Sequence, residues 1–465
     1  MGIKYDVAIV GGGISGLMLA YKMITSDENK KIVIIERGNS LENRKCPIVD
    51  KKVDTCIKCK SCGIMEGMAG AGAFSDGKYN ITTEYGGWIT EFIEHDEAIK
   101  LMEESNKILN RFGAEAPTFY PNDELKKECL KYDLHMLQAD VRHFGTDNNL
   151  KIMGNLIKFL EEKGVRIITR AIVSNVVIKD EFHDAHFVEY DTAPNETYVL
   201  SAYNVVFAVG RVGSTFLRDW CTENNIAMSN CQVDVGVRVE LPWEVWSHFS
   251  QKIYEPKIKY RSKQYNDVTR MFCFNEKGQV VMENSNGIMT VNGHAYSDEA
   301  KKSKNSNFAL LSTINFTEPF NAPIEYARDI AALSNKISGG NVLVQRFGDL
   351  INGQRTDEKR LKQSRTIPTL NATPGDLSLC IPKRQLDNII ETIYALDKVA
   401  PGTANYDTLL YGVECKYYSA RPVMEDFALD KDKTIFAIGD GAGITRSLAQ
   451  AAANGLWVGN FILNK

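Results

Sequence analysis

Six residues near the start of the chain, Gly11-Gly12-Gly13-Ile14-Ser15-Gly16, put glycines at all three positions of the G-x-G-x-x-G pattern. Each glycine has its own task in gripping a diphosphate. Gly11 lets the chain leave a strand in a tight turn, Gly13 removes a side chain where phosphates must approach the backbone, and Gly16 lets a helix pack closely on a sheet. The helix that starts there, with Ser15 in its first turn, offers free amides and a partial positive charge to the phosphates. Glu36 stands 20 residues beyond Gly16, where a carboxylate accepts hydrogen bonds from ribose hydroxyls and disfavours a 2′-phosphate; Arg37 follows it. The chemistry these residues point to is dinucleotide binding.

A second constellation lies near the other end. Thr434-Ile-Phe-Ala-Ile-Gly-Asp440 reads as a strand closed by Gly439-Asp440, followed by Gly441-Ala-Gly443 and a run of small residues to Gly455. Asp440 capping the following helix is the plain reading. The arrangement also resembles the C-terminal flavin motif of glutathione-reductase-like and hydroxybenzoate-hydroxylase-like flavoproteins. That resemblance implies FAD as the dinucleotide and gives Asp440 the ribityl chain to hold. Gly210, at the end of the apolar run Val205 to Val209, joins the cofactor set.

Gly67-Met-Ala-Gly70-Ala71-Gly72-Ala-Phe-Ser75-Asp76-Gly-Lys78 is too rich in small residues to form core, and such a backbone can lie close to a flat ligand. It is expected to line the isoalloxazine, with Ser75, Asp76 and Lys78 supplying hydrogen bonds or charge that tune the ring. An ordinary loop with a Ser-Asp-Gly turn competes with this reading. His143 and Asp147 join Ser75 and Lys78 as candidates for proton transfer, although Asp147 also suits the start of the helix containing Leu150. Arg238, Glu240 and His294 are further polar candidates, while Cys273 between aromatics reads as core.

Cys46, Cys56, Cys59 and Cys62 form C-x9-C-x2-C-x2-C immediately before the glycine-rich loop. Four thiolates complete a tetrahedral Zn site or hold an iron–sulfur cluster, and the two successive two-residue intervals are nearer ferredoxin spacing. A redox-active Cys-x-x-Cys and metal-free structural thiols are the other readings.

The elements that must position these residues are legible as patterns. Tyr5 to Val10 is an apolar run ending at the glycines, Ile14 to Met23 has helical spacing, and Lys31 to Glu36 is a second buried strand. Together they make a βαβ unit. Leu150 to Lys163 repeats at helical spacing and stops at Gly164, before strand-like runs at Val165 to Thr169 and Val173 to Ile178. Val205 to Val209 and Thr434 to Gly439 are continuous apolar runs, expected to return as parallel strands to the first sheet. From Val235 to Tyr411 the texture is mixed. The fold class expected is α/β: a Rossmann-type FAD-binding domain over 1–234 and 412–465 with an inserted mixed α+β substrate domain over 235–411. Arg355 to Arg365 reads as a solvated, charged helix face.

Taken together, these motifs make the sequence similar to the uncharacterised FAD-dependent dehydrogenases. Besides the residues above, the resemblance rests on Gly70 to Lys78, His143-Phe-Gly-Thr-Asp147, Asp234-Val-Gly-Val-Arg-Val-Glu240, Phe272 to Val281, Asn292-Gly-His294 and Gly439 to Gly443. The family's Ala-Thr-Gly turn reads Ala208-Val-Gly210 here, and its Asn-Gly-Met block reads Asn292-Gly-His294. The resemblance implies FAD, an inserted substrate domain and oxidoreductase chemistry on a small organic molecule. Only one complete dinucleotide fingerprint is present, so NAD(P)H would dock transiently or electrons would arrive from a redox-protein partner.

Composition sets the outer bounds. A chain of 465 residues, 44% hydrophobic and 25% charged, exceeds what one core holds and is expected to form at least two packed units. Its net charge of −4 argues against a flavin-dependent RNA-modifying protein and against nucleic acid or anionic lipid as partners. A non-catalytic FAD-binding scaffold or redox sensor remains the other alternative. No run of about 18 apolar residues is present to span a bilayer. Ten cysteines, four of them in one short segment, suit a cytoplasmic, reducing compartment better than a secreted disulfide scaffold.

Overall fold

The computed structural model describes residues 4–47, 52, 57, 59–75, 77–189, 194–229, 232–285, 287–295, 299–316, 322–419 and 421–465. The chain divides into two compact units. One comprises Met1–Phe119, Ala139–Ser229 and Ser419–Lys465; the other comprises Tyr120–Gln138 and Asn230–Tyr418. The second unit thus takes in an early segment that the sequence pattern leaves with the first.

The first unit is built on the expected βαβ motif. Strand β1 (Lys4–Val10) runs into the glycine cluster, helix α1 (Ile14–Ser26) follows, and β2 (Ile32–Ile35) pairs parallel to β1, Val7 beside Ile32 through Val10 beside Ile35. The continuous apolar character of both strands has its reason here: Val7, Ala8, Ile9 and Ile32 to Ile35 are buried on both faces of a parallel sheet. The strand Tyr198–Phe207 pairs parallel to β1, and Ile435–Ala437 pairs parallel to Tyr198–Phe207, so both late apolar runs return to the first sheet. Arg166–Ile168 extends the sheet beyond β2, again in parallel. Ala171–Val177 and His183–Glu189 instead join Tyr198–Phe207 as an antiparallel meander.

The chain leaves β1 toward β2 on one side and meets Tyr198–Phe207 on the other. In such doubly wound sheets, the crevice beyond the carboxyl ends of the strands, where chain direction diverges, is the place for ligands. The last helix, Leu448–Asn464, lies directly on α1: a Cβ placed on Gly455 would stand 2.0 Å from Ser15 O.

The second unit is mixed α+β. Its eight-stranded sheet has the order Thr373–Pro374, Leu343–Arg346, Leu409–Lys416, Val233–Pro242, Asn305–Ile314, Val268–Asn275, Ile258–Arg261, Leu134–Met136. Along Val233–Pro242 the side chains alternate between faces. Val235, Val237, Val239 and Leu241 join the core packed with the helices Pro323–Ile337 and Lys383–Leu396, while Asp234, Arg238 and Glu240 are buried on the opposite face. Among the described residues no helix is long and apolar enough to cross a membrane.

Candidate functional site

The three glycines of the β1–α1 turn are small for different reasons. Gly11 has φ +112°, and a Cβ there would lie 2.3 Å from Ala208 O. At Gly16 a Cβ would meet Gly11 O at 2.5 Å. Gly13 differs from both: its φ of −74° suits any residue, and a Cβ there would meet none of the described residues within 4 Å. Neither conformation nor packing demands glycine at position 13. It caps α1, whose N-terminus has no side-chain cap and no acidic residue in its first turn. The turn therefore presents bare backbone, open space and the positive end of a helix dipole together, which is the environment a diphosphate requires.

Glu36 is buried at the end of β2, and its carboxylate is held by backbone amides: Gly12 N at 2.8 Å on Oε2, and Gly38 N at 2.8 Å and Gly67 N at 3.0 Å on Oε1. One oxygen is thus shared by two amides, and Oε2 retains a lone pair for a further donor. Arg37 does not face the turn's glycines but pairs through Nε with Glu66 Oε2 at 3.2 Å.

The glycine-rich loop comes to this turn. Ala69 N donates to Gly12 O at 2.8 Å, Ala69 bridges to Gly13, and a Cβ on Gly70 would stand 3.1 Å from Gly13 Cα. Ala71–Phe74 forms a short 3₁₀ turn, and Gly72 abuts Leu448 at the start of the last helix. Ser75 Oγ donates to Gly72 O at 2.7 Å and accepts from Gly77 N at 3.2 Å, so its hydroxyl closes the turn itself. Asp76 lies outside the described residues.

A residue that sequence reasoning missed organises this loop. Arg44 is buried and donates through Nε to Gly63 O (3.0 Å), through Nη2 to Ile64 O (2.7 Å), and through Nη1 to Met68 O and Gly70 O (both 2.7 Å). It also lies over the Phe74 ring, 4.7 Å from the centroid. Burial lowers its pKa to about 10, against the opposing pull of Glu36, Cys62 and Glu66, and it remains a cation at neutral pH. A lone arginine in a polar stretch carries no periodic signal. Asn149 supports the same loop, its Nδ2 donating to Gly72 O (2.8 Å) and Ala73 O (3.0 Å). It lines a small apolar cavity with Ile14, Ala69, Tyr79 and Phe144.

At the far end of the chain, the Gly439–Gly443 turn stacks on the end of Tyr198–Phe207: a Cβ on Gly441 would meet Gly210 O at 2.5 Å, and one on Gly439 would meet Ser15 Oγ at 2.9 Å. Gly439 therefore lies against Ser15 in the glycine turn and Gly441 against Gly210, with Asp440 between them, whereas Gly443 packs against Ser419 and Arg421. Asp440 does not cap the following helix, where Ser447 stands at the cap and accepts from Gln450 N. Its Oδ2 pairs with Arg211 Nη2 at 3.1 Å. Its buried Oδ1 has no hydrogen-bond partner among the described residues, with Arg446 Nε at 3.9 Å. An orphaned carboxylate oxygen carries a desolvation cost that a ligand hydroxyl removes, so Asp440 fits the ribityl role that its motif implies.

Lys78 and His143 are brought together, opposite one another in the antiparallel pair Lys78–Ile81 and Asp140–His143. Asp147 is not with them: it is exposed in the first turn of the helix Thr146–Glu162, where its charge complements the helix dipole and Gly145 is the cap. Cys46, Cys59 and Cys62 carry free thiols, and Cys56 lies outside the described residues. Among the described residues no three His, Cys, Asp or Glu side chains are gathered as metal ligands.

The second unit disposes of its candidates differently. Arg238 is fully buried and bidentate to Glu414, Nε to Oε2 at 2.8 Å and Nη2 to Oε1 at 3.0 Å, and also donates to Cys273 O, Asn292 Oδ1 and Asn307 Oδ1. Glu240 accepts from Tyr411 OH and Thr369 Oγ1 (both 2.6 Å) and from Asn305 Nδ2 (3.0 Å), and burial raises its pKa despite those donors. His294 is exposed at the end of a hairpin strand. Cys273 is only partly buried, where the sequence pattern suggested core.

Residues 232–417 match a family described as "FAD-dependent protein, C-terminal domain-like". An uncharacterised protein of Clostridium beijerinckii is 25% identical over 484 residues, spanning 100% of this chain and 81% of its own length. Among solved structures, a glycine oxidase from Geobacillus kaustophilus aligns with 100% of this chain and 96% of its own at 11% identity and a TM-score of 0.39. The quinol fumarate reductase of E. coli aligns with 99% of this chain and 70% of its own at 13% identity and a TM-score of 0.42. These two likenesses are too distant to bear on reaction or substrate. The chain thus combines a parallel sheet entered through a G-x-G-x-x-G turn with a segment, residues 232–417, that is similar to the C-terminal domain of FAD-dependent proteins.

Proposed function

We propose that the first unit binds one FAD and that the chain is an FAD-dependent oxidoreductase acting on a small organic substrate. The observation that carries the reading is Gly13, a helix-capping glycine that the chain's own conformation and packing leave unexplained and that a diphosphate explains. In this reading Gly11 to Gly16 hold the pyrophosphate, Glu36 Oε2 takes a ribose hydroxyl, and Asp440 Oδ1 takes a ribityl hydroxyl. FAD when bound would supply hydride and single-electron transfer at its flavin ring.

The chain's own contribution is binding, orientation and proton handling. Arg44 and Asn149 fix the Gly70–Phe74 segment against the turn. Lys78 and His143, paired across two strands, are the candidates for holding or moving a proton, and Ser75 keeps a turn-forming role. The second unit would supply the substrate-binding surface, as the family resemblance implies. The four-cysteine segment as an electron relay is the finer part of the reading, and iron, sulfide and zinc analysis of anaerobically purified protein tests it separately.

The test of the main reading is flavin content followed by anaerobic reduction. Purified chain reconstituted with FAD should hold one flavin per chain, and NADH, NADPH or a member of a metabolite panel should bleach it. Flavin that only dithionite reduces would favour a scaffold or sensor. A folded chain that takes up no FAD would remove the proposal altogether.

A further inference from the structure

Two stretches that lead into the cofactor loop lie against each other, and each carries a cysteine beside a point of backbone contact. Met68 N donates to Asn39 O at 2.9 Å, and a Cβ on Gly38 would meet Gly67 N at 2.3 Å. Farther along, a Cβ on Gly63 would stand 2.3 Å from Lys45 O and 3.0 Å from Lys45 N, so the two backbones touch there. Moving from Gly38 to Lys45 along one stretch corresponds to moving from Gly67 back to Gly63 along the other, and the stretches run in opposite directions. Cys46 follows Lys45 and Cys62 precedes Gly63, so the two cysteines flank the point where the backbones touch.

Both thiols are free and partly exposed, while Cys59 is exposed and only three positions from Cys62. Arg44 adds a cationic neighbour: its guanidinium, bonded to Gly63 O, also senses Cys62.

We infer that Cys46 and Cys62 form a redox-responsive pair that clamps the root of the cofactor loop. With a low-molecular-weight disulfide such as oxidised glutathione as oxidant, one thiolate attacks a glutathione sulfur and expels one glutathione thiolate. The second cysteine thiolate then attacks the mixed disulfide and expels the other. Two protein thiols are oxidised, one glutathione disulfide is reduced to two thiols, and no further reactant is needed. The crosslink closes the chain just outside Gly63–Gly70, the segment that carries the Gly67 amide to Glu36 and the Ala69 amide to Gly12. Restraining that segment narrows the motions by which a ligand leaves the turn. This consequence for FAD rests on the function proposed above, whereas the crosslink itself does not.

The experiment uses the full chain reconstituted with FAD, treated with oxidised or reduced glutathione. Peptide mapping after blocking free thiols should recover a Cys46–Cys62 crosslink and a loss of two hydrogen masses. Cys59→Ser should still form it, while Cys46→Ser and Cys62→Ser should each give only a mixed disulfide with glutathione. The oxidised chain should release FAD several-fold more slowly than the reduced chain, a difference that Cys46→Ser abolishes. A crosslink to Cys59 or Cys56 instead, or none, overturns the pairing. A Cys46–Cys62 crosslink with an unchanged rate of FAD release overturns the clamp. Mapping reads out without bound flavin, so a failure to bind FAD is seen separately from a failure to crosslink.

Discussion

The β1–α1 turn and the strand Val233–Pro242 both place unusual residues in buried surroundings, and they differ in who satisfies them. Along Val233–Pro242 the chain answers its own needs: Arg238 is paired with Glu414, Glu240 is ringed by hydroxyl and amide donors, and Gly236 is glycine because a Cβ would stand 1.9 Å from Leu310 O. At the turn the needs are left open. Among the described residues nothing stands within 4 Å of a Cβ on Gly13, and Asp440 Oδ1 has no donor. A buried charge that the chain pairs internally marks architecture. A residue whose identity the fold does not require marks a ligand.

That contrast is broken most forcefully at Arg238. Arg238→Met leaves Glu414 with Lys416 alone, Nζ to Oε1 at 3.2 Å, so the loss should lie at the low end, about 3 kcal/mol, of what removing one partner of a buried pair costs. Denaturant unfolding should show a loss of this size; a loss near zero would mean that the pair is not the internal accounting it is taken to be. The opposite pattern is expected at Gly13. Gly13→Ala should change stability by no more than about 1 kcal/mol, since φ and space permit the methyl. It should weaken FAD by about 1.4–2.7 kcal/mol, roughly 10- to 100-fold, through steric intrusion on the pyrophosphate.

Arg44→Met sharpens the comparison from between these extremes. Arg44 is internally satisfied like Arg238, but its partners are the carbonyls of the loop beside the turn. Removing it should cost about 2 kcal/mol. Limited proteolysis should then cut first between Gly63 and Gly70, and uniform susceptibility would argue against a local anchor.

The smallest effect is expected at His183. Burial holds its pKa below the ordinary value, and the neutral ring bonds Thr434 Oγ1 at 2.9 Å and accepts from Lys179 N at 3.4 Å. The unfolded chain binds a proton there more readily than the folded one. Stability from this group is therefore complete above about pH 6.5 and is lost as pH falls through that value toward the folded pKa. Melting curves of the wild type and His183→Gln should diverge across that window, and parallel curves would show that the ring contributes nothing.

Much of the first unit was legible in the sequence because its parallel strands are buried on both faces. Val7 to Val10, Ile32 to Ile35, Val205 to Phe207 and Ile435 to Ala437 could be seen as continuous apolar runs without knowledge of their partners. The helix expected over Leu150 to Lys163 begins earlier, at Thr146, because Gly145 and not Asp147 is its cap. What escaped was long-range. Glu36 meets amides 24 and 31 residues away, and Arg44 reaches carbonyls 19 to 26 residues away. Local pattern carries no trace of such meetings. The excursion of Tyr120–Gln138 into the second unit depends likewise on a distant pairing, Leu134–Met136 with Ile258–Arg261.

The account turns on a paired measurement of FAD affinity and thermal stability for the wild type and Gly13→Ala. The account predicts a yellow wild type with one flavin per chain and a variant that melts at nearly the same temperature yet binds FAD at least about tenfold more weakly. Equal affinity in the two proteins, or a folded wild type that stays colourless with FAD in excess, would contradict it.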